Sequence, residues 1–278
     1  MPALPTRAIH GALRPDPTTG AILTPIHQTT TYVQEAVGVD KGFTYTRSGN
    51  PTVAALEAHL GQLEDASCAA FATGMAAVTC ALLATLKAGD HVVCGRVVYG
   101  GTVRVLRQVL QRFGVEASTV DATDPAAVAA AIGPATRLVL VETPANPTME
   151  LCDVAAVAEV CRRAGVLLAV DNTFLTPALF RPLDLGADIS LYSTTKYIEG
   201  HNSTVGGALL TRNAEVLEAV RFHQNAIGFA QAPFEAWLTL RGIKTLPHRM
   251  KLHSANALRV ARWLEAHPAV ATVRYPLL

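Results

Sequence analysis

The segment Ala187–Tyr197, ADISLYSTTKY, ends an apolar stretch on a lysine framed by hydroxyls. Ile189–Tyr192 reads as a buried strand, and strand ends are where an open α/β sheet presents its chemistry. A lysine placed there, Lys196, can be desolvated, so that its amine is neutral often enough to attack a carbonyl. Ser193, Thr194 and Thr195 beside it could hold an anionic group such as a phosphate. A lysine nucleophile with a phosphate grip suggests pyridoxal phosphate held as a Schiff base. The same residues also read as a solvated lysine in a Ser/Thr loop, so other positions must decide.

Asp171 sits where the apolar run Val166–Val170 emerges, and a carboxylate at such a place needs a partner. A protonated pyridine nitrogen would serve, and so would an ordinary turn or helix N-cap. It lies 25 residues before Lys196, a separation that suits two adjacent strand ends with one crossover between them. Ala72–Ala77, ATGMAA, reads as a strand-to-helix turn in which Gly74 permits close backbone approach. The N–H groups at that helix start, Met75 included, make an anion site, although Thr73 is also a routine N-cap. Tyr99 in the Gly-flanked turn VYGGT could stack on an aromatic cofactor or transfer a proton, or simply be a turn aromatic. Asn146 in ETPANPT could hydrogen-bond a ring hydroxyl, though two prolines there also make a structural turn. Tyr45 and Arg47 alternate and share one face if extended; arginine matches a phosphate bidentately, or makes an exposed salt bridge.

The elements that must position these residues follow from periodicity. Residues 1–50 are rich in Pro, Thr and Gly and read as an irregular arm that must lie on something else, such as a neighbouring subunit. From Pro51 onward, short continuously apolar strands alternate with amphipathic helices, which predicts an α/β fold with a mostly parallel sheet sandwiched by helices. Helices are expected over 52–65, 75–87, 102–113, 125–132, 154–164, 214–225, 233–241 and 247–267. The expected strands are 69–72, 91–94, 116–120, 138–141, 166–170, 189–192 and 205–211, with a further one at 269–275 opening a second, smaller domain. The expected organisation is an arm (1–50), a large domain (51–245) and only the start of a C-terminal domain (246–278).

Composition narrows the class. Of 278 residues 50% are hydrophobic and 16% charged, with a formal net charge of +1, which gives no electrostatic case for nucleic acid or an anionic membrane. No apolar run is long enough to span a bilayer, and the N-terminus lacks a signal peptide's apolar core, so the expected location is the cytoplasm. Cys68, Cys80, Cys94, Cys152 and Cys161 form no CxxC pair and read as small buried hydrophobes; no metal site is expected.

Taken together, the segments YTRSGNPT (45–52), FATGMAA (71–77), VYGGT (98–102), ETPANPT (142–148), VDNTF (170–174), GADISLYSTTKYIEGH (186–201) and LRGIKTL (240–246) resemble the trans-sulfuration enzymes. These are the Cys/Met-metabolism family of fold type I pyridoxal-phosphate proteins, and the match is nearest the cystathionine γ-synthase and γ-lyase group. The resemblance implies pyridoxal 5'-phosphate on Lys196, Asp171 paired with the ring nitrogen, and Tyr99 stacked on the ring and assisting proton transfer. It implies Gly74, Met75, Ser193 and Thr195 on the phosphate, Asn146 on the cofactor, and Arg104 on the substrate side. Tyr45 and Arg47 would reach the phosphate of a neighbouring subunit, in a homotetramer built from catalytic dimers. The implied reaction is γ-replacement or γ-elimination on an O-acyl-homoserine or cystathionine.

RSGNPT favours the γ-synthase and γ-lyase group over the enteric β-lyase, whereas Gly200–Gly207 lacks the GHSD usual there and drifts toward a sulfhydrylase-like pattern. O-acetylhomoserine sulfhydrylase and methionine γ-lyase activities therefore stay open. So does a catalytically silent cofactor-domain protein, because family members continue into a C-terminal domain that supplies an arginine for the substrate carboxylate. A Rossmann nucleotide binder is disfavoured by the lack of GxGxxG after the first strand, and an aminotransferase by the YTRSGNPT arm.

Overall fold

The computed structural model describes residues 2–276 and 278. Its strands are β1 (Ser67–Phe71), β2 (His91–Gly95), β3 (Glu116–Val120), β4 (Thr136–Glu142), β5 (Leu167–Asp171), β6 (Ile189–Tyr192) and β7 (Gly207–Thr211). They form one mostly parallel sheet in the order β1-β7-β6-β5-β4-β2-β3. The helices are α1 (Leu4–His10), α2 (Pro51–Glu64), α3 (Gly74–Thr85), α4 (Gly100–Arg104), α5 (Pro125–Ala131), α6 (Val154–Ala164), α7 (Thr176–Leu179), α8 (Ala214–Ile227), α9 (Pro233–Ile243) and α10 (Leu246–Glu265). The chain divides into two compact units, Met1–Thr85 with Leu191–Leu246, and Leu86–Ser190 with Pro247–Leu278.

In the first unit β1 runs antiparallel to β7, from Ser67 opposite Thr211 to Phe71 opposite Gly207. Both strands are apolar and, apart from Ser67, buried, because α2, α3 and α8 pack against them. Leu56, Leu60 and Leu63 of α2 are buried at helical spacing, as are Ala77, Ala81 and Leu82 of α3. Asn50 caps α2 by accepting from the N–H of Thr52 at 2.9 Å, and Pro51 at the first turn has no N–H to leave unpaired.

In the second unit β2 pairs in parallel with β3 and β4, and β4 with β5. Val92–Cys94, Leu138–Val141 and Leu168–Val170 are buried continuously, as expected of parallel strands covered on both faces. Val128 of α5 and Val157 and Cys161 of α6 are buried as well. No helix among the described residues is long and apolar enough to cross a membrane, and no cluster of three His, Cys, Asp or Glu side chains arranged to hold a metal ion occurs among them.

Three expectations need correction. The arm is not wholly irregular: Leu4–His10 is a helix whose Ala8 is fully buried, because α1 lies on α2 of the same chain. Arg7 donates to Gln62 O at 2.7 Å and pairs with Asp65 at 3.0 Å, while His59 Nε2 donates to Arg7 O at 3.1 Å. The stretch 24–27 is likewise tied down within the chain, Thr52 Oγ1 donating to Pro25 O and Trp237 Nε1 to Thr24 O. Second, the helix expected over 102–113 is broken: α4 widens into a π-turn at Val105–Val109 and tightens into a 3-10 turn at Leu110–Phe113, with Leu106 and Leu110 both buried. Third, 269–275 is not a strand; it has no partner ladder among the described residues, and a strand without one leaves its backbone groups unpaired.

The α1–α2 contact makes stability sensitive to acid. Burial pushes the His59 imidazole down to about 4 from 6.5, so the folded state holds it neutral. The unfolded chain therefore binds the extra proton first, and stability present above pH 6.5 is lost as pH falls toward 4, by on the order of 3 kcal/mol. Thermal melts between pH 4 and 7 should show this limb in the parent and a flatter one in His59→Gln; parallel profiles would refute the assignment.

Candidate active site

The first unit contributes the turn around Lys196 and the start of α3. Lys196 lies four positions past the end of β6, in a turn closed by its own N–H to Ser193 O at 3.2 Å and by Gly200 N–H to its carbonyl at 2.9 Å. Its side chain is exposed, not desolvated as its place after a buried strand suggested, because the turn carries it off the strand. Ser193 lies against Gly74: a Cβ at Gly74 would come within 2.7 Å of Ser193 Cβ and 2.9 Å of its Oγ. Only glycine lets the backbone approach so closely. Gly207 closes the same corner from β7, since a Cβ there would sit 2.9 Å from Gly74 Cα and closer still to Thr73 O.

Thr73 acts as the N-cap, its Oγ1 accepting from Ala76 N–H at 3.0 Å and its carbonyl from Ala77 N–H at 3.2 Å. The N–H groups of Gly74 and Met75 then have no acceptor among the described residues, at the positive end of a 12-residue helix. Thr195 is engaged with the backbone instead, its Oγ1 donating to Gly206 O at 3.2 Å and accepting from Gly206 N at 3.0 Å. The segment from Tyr45 to Arg47 is a turn and not extended, closed by the N–H groups of Ser48 and Gly49 on the Tyr45 carbonyl, and the Arg47 guanidinium lies 5.3 Å from the Tyr45 ring centroid. Arg47 makes no salt bridge among the described residues but donates to Asn225 Oδ1 at 2.7 Å and to the Asn225 carbonyl, at a cavity of about 280 Å³ that Arg47, Glu57, Arg221 and Gln231 line.

The second unit contributes a group of residues at the ends of its strands. Asp171 closes β5 in register with Glu142, the last residue of β4, so the two carboxyls share a face. Asp171 Oδ1 accepts from Thr173 N–H at 3.1 Å, which makes it a turn residue and not a helix cap, since α7 begins only at Thr176. Burial raises the Asp171 carboxyl above the usual range, with the Thr173 bonds opposing. Glu142 is pushed up to about 7, first by burial and then by the charge of Asp171. Two half-buried carboxyls side by side are a place where a cation would be welcome.

Tyr99 precedes α4 and is 52% exposed, and Asn146 is exposed in the turn after β4. Both are fixed through their backbones: Glu142 Oε2 accepts from Tyr99 N–H at 2.6 Å and Oε1 from Asn146 N–H at 3.0 Å. Arg104 ends α4 and is exposed. Glu142, Gly206 and Gly207 went unnoticed in the sequence. The logic that singled out Asp171, an acidic residue ending a buried strand, applies equally to Glu142.

These residues fit pyridoxal phosphate on structural grounds. Gly74 with Ser193 offers a cradle that a side chain would fill, and Asp171 offers a desolvated carboxyl. A model of the Cys/Met metabolism PLP-dependent enzymes matches residues 5–278. The chain belongs to this family. A probable cystathionine gamma-synthase of Herpetosiphon aurantiacus is 49% identical over 98% of this chain and 85% of its own length. The cystathionine gamma-synthase of Mycobacterium tuberculosis (strain H37Rv) is 51% identical over 98% of this chain and 70% of its own. The crystal structure of metB from Corynebacterium glutamicum superposes with a TM-score of 0.98 at 44% identity, covering 100% of this chain and 73% of that one. Pyridoxal phosphate is therefore the cofactor of the family to which this α/β chain belongs, and the fold type I reading of its sheet stands.

Proposed function

We propose that the chain carries out γ-replacement or γ-elimination on an O-acyl-homoserine or cystathionine, in the manner of cystathionine γ-synthase and γ-lyase. The observation that carries this reading is the close approach of Gly74 to Ser193 three residues before an exposed Lys196. The bound cofactor supplies an electron sink for a substrate carbanion. The N–H groups of Gly74 and Met75 hold its phosphate at the helix start, with Ser193 and Thr195 beside them. Asp171 would pair with the ring nitrogen and favour its cationic form. Tyr99 and Asn146 would lie beside the ring, and Lys196 would take and return protons at Nζ. Arg104 lines the substrate side.

Tyr45 and Arg47 serve the phosphate of a neighbouring copy, so the active form is a homo-oligomer, a tetramer of catalytic dimers, in the cytoplasm. The arm, large domain and C-terminal segment (1–50, 51–245 and 246–278) belong to the same reading. The two relatives named gamma-synthase favour replacement over elimination.

Steady-state assays with cystathionine, and with O-acyl-homoserines plus a thiol acceptor, test it. A thioether or 2-oxo acid product is expected. No turnover of either substrate by a chain that retains cofactor on Lys196 would favour a silent cofactor-binding protein.

A further inference from the structure

We propose that Glu142 is a positioning residue, whose two carboxylate oxygens clamp the backbones of Tyr99 and Asn146 so that both side chains meet the cofactor. The inference rests on the functional reading above and deepens it.

The geometry is specific. Tyr99 lies 43 residues before Glu142 in sequence and Asn146 four after it, yet one carboxylate accepts from both backbone N–H groups, through different oxygens. The two side chains are exposed, so they have little packing of their own to fix where they stand. A ligand-contacting group set on a loop needs its backbone held to within a fraction of an ångström. Other bonds of these turns, such as Thr102 N–H to Tyr99 O, Ala145 N–H to Glu150 O and Met149 N–H to Ala145 O, act within each turn and do not join the two.

Both oxygens must be acceptors for the clamp to work. A carboxylate meets that need; a glutamine offers one acceptor and turns an NH₂ toward the other N–H. An aspartate keeps the charge but lacks the reach. Protonation has a milder version of the glutamine effect, and Glu142 titrates at about 7. Among the described residues, the titratable groups near it are Asp171 on β5, Cys94 on β2, and Glu150 and Cys152 in the turn after Asn146. Of these, Asp171 raises its pKa by like charge, while the two N–H bonds lower it.

The test compares the parent chain with Glu142→Gln and Glu142→Asp. The first readout is hydrogen-exchange protection of the Tyr99 and Asn146 amides in cofactor-free protein, corrected for intrinsic exchange, from pH 6 to 8. The second is the dissociation constant for pyridoxal phosphate across the same range. The expected result is that parent protection at both amides falls below pH 7, and that Glu142→Gln lacks protection throughout. Its dissociation constant should rise about tenfold at pH 8, equivalent to one lost charge-assisted hydrogen bond, and lose the parent's pH step near 7. Glu142→Asp should not restore affinity, since charge without reach cannot bridge the turns.

Lost protection with cofactor affinity within twofold of the parent would reduce Glu142 to a structural residue and overturn the inference. So would parent amides of Tyr99 and Asn146 that exchange without protection at pH 8, a measurement that needs no variant to fold. A parent chain that takes up no cofactor would instead bring down the functional reading, and this inference with it.

Discussion

Replacing Asp171 with asparagine will weaken cofactor binding and, in the cofactor-free protein, raise the melting temperature. The opposite signs have one cause. Burial raises the Asp171 carboxyl, and a carboxyl raised in the folded state lowers stability as pH climbs through that raised value. Its charged form is therefore a net burden until a cation arrives. Asparagine keeps an oxygen to accept from Thr173 N–H and removes the burden. With a pyridinium in place the balance reverses, since removing one member of a buried ion pair costs about 3 kcal/mol or more, roughly 100-fold in affinity. Glu142, relieved of its neighbour's charge, should titrate lower in the variant. Calorimetry on the cofactor-free chain and a spectroscopic titration read the two effects separately. Affinity within threefold of the parent would remove Asp171 from the cofactor site.

Gly207→Ala should be among the most damaging single methyls in the first unit. Its Cβ would meet backbone, not a movable side-chain tip: the carbonyl carbon of Thr73 at 2.7 Å and the Cα of Gly74 at 2.9 Å. Either β7 slides against β1 or the Thr73–Gly74 turn moves. Forced overpacking of this kind costs about 2–3 kcal/mol, a loss of roughly 5–10 °C in melting temperature. Because the yielding element is the proposed phosphate cradle, cofactor affinity should fall with it. Gly133→Ala, which meets nothing within 4 Å, is the control and should melt within a degree or two of the parent. Equal melting of the two variants would show that the corner is not tightly packed.

The sheet was legible because buried parallel strands leave a plain signature: Val-Val-Cys, Leu-Val-Leu-Val and Leu-Leu-Ala-Val are each apolar without interruption. Helix α2 was legible from its period, and its start from Asn50-Pro51. Helix α1 was not, because seven residues show too little period to register and its burial comes from a partner about 50 positions away. The break in 102–113 was hidden for a related reason: Leu106 and Leu110 keep a helical spacing across the π-turn. In the site, Lys196 and Asp171 stood out by chemistry and position, whereas Gly206 and Gly207 matter for the space they leave, which only packing reveals. The exposure of Lys196 was missed because a strand end fixes the chain's position but not the course of the turn that follows.

The central claim is that Lys196 is the residue that carries the cofactor. The most direct measurement is borohydride reduction of the chain saturated with pyridoxal phosphate, followed by peptide mass mapping. The chain has five lysines, at 41, 87, 196, 244 and 251, so the outcome is unambiguous. A pyridoxyl adduct on the Lys196 peptide alone, absent in Lys196→Ala, is the predicted result. Adducts spread over the other four lysines, or equal incorporation into Lys196→Ala, would contradict it.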